Sequence, residues 1–97
     1  MTNPYFEIAD AYEKILEQAQ WGAVDYQALK RELRDVTMGH DLSELDASAI
    51  SAARVCVEEC LGANKSRDKH KIQWAITKIA SIRAAGRRYQ ERLEGQA

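Results

Sequence analysis

Two cysteines, a scatter of carboxylates and a run of cations are the side chains through which this chain could do chemistry. Cys56 and Cys60 stand four apart, so a helix puts both on one face, where two thiolates can grip a metal ion. His40 or His70 would have to complete the set, because a tetrahedral site needs four ligands and the sequence has no C-x-x-C pair. Cysteine is also a common small core residue, and core packing is the reading the sequence favours. The two-metal carboxylate pattern, Glu-x-x-His on paired helices, is missing. No metal or cofactor is therefore expected. Glu7, Asp10 and Glu17, with Asp41 and Glu44, instead form a possible acidic surface for a basic partner.

The cations cluster late in the chain. Lys69, Lys71, Lys78, Arg87 and Arg88 are the candidates for contact with nucleic-acid phosphates, which need only positive side chains on one face. They scatter around a helix rather than forming one stripe. The pI of about 6.1 is also far below that of a dedicated nucleic-acid domain. Nucleic-acid binding is thus the alternative to protein binding and not the leading expectation.

In the segment "RDVTMGH", Arg34 and His40 stand with five residues between them. That spacing resembles the arginine–histidine motif of the helical HEPN ribonucleases. The resemblance covers two residues and implies that the pair would serve RNA cleavage. Read without it, Arg34 is simply a cation placed well near a helix C-terminus. No other pair suggests catalysis, and the expectation is that the protein is not an enzyme.

Length and composition fit these choices. Ninety-seven residues, 45% apolar and 30% charged, make one small helical domain spanning 1–97. The early acids of "MTNPYFEIADAYEK" do not look like a signal peptide, and no apolar run is long enough to span a membrane, so a cytoplasmic location is expected. The net charge of −1 is unevenly distributed. Residues 1–62 hold twelve acids and five bases, and residues 63–97 hold three acids and nine bases. Either the two parts attract each other within one fold, or one part faces a charged partner.

Apolar spacing is helical almost throughout. It predicts a first helix over 4–20, with Asn3 as cap and Pro4 at its first position. Tyr5, Ile8, Ala9, Tyr12, Ile15, Leu16 and Ala19 are its inward stripe. A second helix over 26–38 starts at Asp25 and buries Tyr26, Leu29, Leu33 and Val36. A third over 47–61, with Asp41, Ser43 or Asp46 as rival caps, buries Ile50, Ala53, Val57, Cys60 and Leu61. A long last helix covers 67–94. The fold class is all-α, an antiparallel bundle of about four helices with a long C-terminal member.

The last helix carries two kinds of face. Ile72, Ala75, Ile79, Ile82, Gly86, Tyr89 and Leu93 recur at alternating spacings of three and four, a heptad seam. At about 40 Å this helix should overhang a bundle of this size, which argues for a second copy, with a dimer favoured. Ile82, Tyr89 and Leu93 are its candidate contacts. Trp74, Thr77, Ser81, Ala84 and Arg88 fall opposite the seam and form a second contact face, covered by another subunit, by another protein, or within the chain by the first helix or Trp21. The expected function is protein binding as an adaptor, inhibitor or assembly factor that self-associates through its C-terminal helix.

Overall fold

The first helix starts where Asn3 and Pro4 put it. Asn3 has an extended backbone, with φ −86° and ψ 115°, and its side-chain oxygen accepts from the Tyr5 amide at 3.0 Å. Pro4 follows at the first helical position, where a missing N–H forfeits nothing. The computed structural model describes residues 3–22 and 24–95, and these are all-helical apart from turns. Helix α1 is Pro4–Ala19, α2 is Tyr26–Met38, α3 is Ala47–Glu58 and α4 is Lys69–Gly95, with a 3-10 turn at Lys65–Arg67.

Each later helix starts at an aspartate. Asp25 accepts from the amides of Gln27 and Ala28, and Asp68 from those of His70 and Lys71. Asp46 is the cap of α3, accepting from the Ala49 amide, while Asp41 accepts from the Ser43 amide in the preceding turn. The last helix begins two residues later than the spacing predicts, because the 3-10 turn uses Lys65–Arg67. The third ends earlier, because Cys60 and Leu61 tighten onto the carbonyls of Val57 and Glu58. Both remain buried all the same. Gly22 breaks the chain after α1 with φ 99°, a conformation that side chains disfavour.

Helices α1 and α4 run antiparallel and form the spine. Tyr5 meets Tyr89 edge-on at 5.5 Å, Asp10 and Glu13 meet Arg83, and Leu16 lies level with Ile79. Close approach is possible at Gly86, where an added Cβ would lie 2.8 Å from the Tyr5 Cβ. Helix α2 packs on α1, and α3 packs on α4. The seven predicted inward residues of α1 are all buried. On α2 the buried row is Leu29, Leu33 and Thr37, with Tyr26 and Val36 half-buried. Thr37 takes the inward place because its hydroxyl satisfies that of the fully buried Tyr12.

The seam of α4 is the chain's own core. Ile82 is 0% exposed, and Ala75, Ile79 and Gly86 are buried beside it. Tyr89 packs on Tyr5, and Leu93 is half-buried. The expectation that the seam joins two copies through Ile82, Tyr89 and Leu93 is therefore corrected for its centre: α1 and α3 already cover it. Residues 90–95 of α4 do run past the start of α1. The molecule measures 47 × 24 × 19 Å, so it is elongated along α4 and antiparallel α1 accompanies that helix up to Tyr89.

Candidate interaction surface

Trp74 is not covered from within the chain. It is 65% exposed, and Trp21, once a candidate to shield it, is itself 67% exposed. With about 100° per residue, Trp74 lies on the shoulder of the buried row beside α3, not opposite it. There it lines a cavity of about 370 Å³ with Val55, Cys56 and Lys71. Ile76, 47% exposed, is the opposite shoulder. It lines a groove of about 690 Å³ between α1 and α4, with Leu16 at its floor and Glu13 and Glu17 at its edge.

Between the shoulders, Gln73, Thr77, Ala80 and Ser81 face solvent, with Ala84 half-buried. None of them is charged. The hydroxyls of Thr77 and Ser81 donate back to the carbonyls of Gln73 and Thr77, at 2.9 and 3.2 Å. Both are thus satisfied inside the helix and ask nothing of a partner. Thr77, Ser81, Ala84 and Arg88 do share one solvent side, as the sequence suggests. Ile76, Ala80 and Val55 were not read from the sequence as surface residues. For Ile76 the signal was present, since it is an apolar residue that fits neither three-four stripe.

A minority of the charges meet inside the chain: among the described residues Arg54, Lys71 and Arg83 are the cations paired with a carboxylate. Arg83 bonds Asp10 at 2.7 Å and Glu13 at 3.1 Å, and Lys71 pairs with Glu59 at 3.6 Å. Glu44 lines one cavity with Arg88 and Arg92. Glu7 and Glu17 are exposed on α1, with the His40 ring 3.9 Å from the Glu7 carboxylate. The Asp41 carboxyl is held below its ordinary pKa by the hydrogen bond from the Ser43 backbone. The five acids therefore do not form one continuous face. Neither do the phosphate candidates: Lys69 and Arg87 lie on one side of α4, Lys71 and Lys78 on the other, and Arg88 between them.

No family model, curated protein or solved structure matches this chain.

Arg34 and His40 have different neighbours. Arg34 lines a groove between α2 and α3, whereas His40 turns to Glu7 of α1. Cys60 is fully buried, its thiol donates to the Cys56 carbonyl at 3.5 Å, and burial pushes its pKa up to about 11. Such a thiol is a core residue with little thiolate to offer a metal. Among the described residues, no three of His, Cys, Asp and Glu converge to hold a metal ion, and no helix is long and apolar enough to cross a membrane.

Proposed function

We propose that this protein acts by binding protein rather than by catalysis, and that it self-associates through the solvent face of α4. The observation that carries this reading is the uncharged exposed strip between Trp74 and Ile76, two large side chains left 65% and 47% exposed. Small residues along the strip let a second helix approach closely, and tryptophan is enriched at the centres of interfaces.

Charge chooses the orientation. In a parallel pair, Arg87 and Arg88 of both copies would face each other. In an antiparallel pair crossing at Ala80, Lys69 of one copy faces Glu91 of the other. Ile76 then meets Ala84, and Arg88 reaches the face of the other Trp74. The adaptor, inhibitor or assembly role expected from the sequence fits a dimer whose remaining surfaces stay available.

Light scattering after size exclusion tests the reading. The expected mass is twice 11.0 kDa for the wild type. Ala80→Glu, which sets two carboxylates at the twofold axis, is expected to give a folded monomer. Lys69→Glu weakens the dimer, and adding Glu91→Lys restores it. A wild type that stays at 11.0 kDa up to millimolar concentration, or a dimer indifferent to Ala80→Glu, rejects it.

A further inference from the structure

Lys30, Arg31 and Arg34 of α2 and Arg54 of α3 line one open groove of about 530 Å³. Residues 1–62 contain only five bases, so four of the five gather in a part of the chain that is otherwise acidic. The one carboxylate in the groove, Glu58, is already bonded to Arg54 at 3.0 Å. Lys30 and Arg34 are four apart on one helix, a like-charge pair that weakens α2 slightly. Among the described residues neither Lys30 nor Arg34 meets a carboxylate in return, and a local rule broken in this way points to something outside the chain.

The lining also restricts what that is. Leu33 forms an apolar floor, and Met38, 76% exposed, stands at the margin with a flexible thioether that adapts to apolar side chains. Among the described residues no aromatic lines the groove, so bases would find no stacking platform there. Guanidinium groups match carboxylates in two-pronged geometry. We propose that the α2–α3 groove is a docking site for an acidic, partly apolar peptide segment of a partner protein. The carboxylates of that segment pair with Arg31, Arg34, Lys30 and Arg54, and an apolar side chain rests on Met38 and Leu33. The groove holds no residue of α4, so it stays open whether or not α4 is covered.

The test is fluorescence anisotropy with the full chain and three labelled probes: a glutamate–leucine peptide, its lysine–leucine counterpart and a single-stranded oligonucleotide. The glutamate peptide is expected to bind saturably and to weaken as salt rises. Arg34→Gln should weaken it several-fold, and Arg31→Glu with Arg34→Glu by more than about tenfold. Circular dichroism checks that the variants are folded. Lys14→Glu, at the fifth base, lies outside the groove and should change nothing. The proposal is overturned if the glutamate peptide fails to saturate, if Lys14→Glu costs as much as Arg34→Glu, or if the oligonucleotide binds as tightly through the same residues. Light scattering on these variants keeps the result separate from self-association, since the dimer should survive every one of them.

Discussion

Asn3 ties the two longest helices together through Gly86. Its side-chain oxygen caps α1 on the Tyr5 amide, and its side-chain nitrogen donates to the Gly86 carbonyl, 2.8 Å away on α4. The residue is nearly buried, so water does not compete for either bond. Asn3→Ala loses both and is expected to cost about 2 kcal/mol in urea unfolding. Asn3→Asp keeps the cap but has no N–H for Gly86, so it should fall between the two. Equal stability of Asn3→Asp and wild type would mean the cross-helix bond contributes nothing.

Gly86 itself is a contact position. An alanine there would gain about 1 kcal/mol of helix propensity, but its methyl would sit 2.8 Å from the Tyr5 Cβ, which cannot swing away. Overpacking of this kind costs about 1–3 kcal/mol, so Gly86→Ala should be net destabilising in thermal unfolding. Gly95→Ala, with nothing within 4 Å of the new methyl, is the control and should not destabilise.

The buried pair of Tyr12 and Thr37 has a fixed direction. Thr37 donates to the Leu33 carbonyl at 2.9 Å, which leaves its oxygen to accept from the Tyr12 hydroxyl. Thr37→Val orphans that hydroxyl in the core and should cost about 1–3 kcal/mol. Adding Tyr12→Phe removes the orphan. A double-mutant cycle should therefore show the pair less harmful than the sum of the singles, and strict additivity would contradict the hydrogen bond.

Stability should also fall on the alkaline side. The Cys60 thiol titrates near 11 in the folded chain against an ordinary 9.0, so the unfolded state loses its proton first. The contribution of Cys60 is whole below pH 9 and is lost progressively between about pH 9 and 11. Burial raises the Tyr12 hydroxyl in the same sense. Denaturant midpoints from pH 8 to 11 should decline less steeply in Cys60→Ala than in wild type. A slope unchanged by that substitution would assign the decline elsewhere.

Helix positions and caps were legible because they are local. Asn3, Asp25 and the period of Tyr5–Ile8–Tyr12–Ile15 depend on neighbours within one or two turns, and the structure keeps all of them. Thr37 continues the row of Leu29 and Leu33 at four-residue spacing but was missed because it is polar, and the hydroxyl that makes its burial acceptable lies 25 residues away. Apolar burial has no direction, so the row Ala75–Ile79–Ile82 reads the same whether α1 or another copy covers it. The sequence by itself determined four helices, where the first three begin, and an apolar seam along the last. Only the tertiary structure decided that this seam is spent on the chain's own core, that Trp74 and Ile76 stay outside it, and that Arg34 and Arg54 line one groove. The physical reason is that periodicity fixes which side of a helix is apolar, while the packing of α1 and α3 on α4 fixes what that side meets.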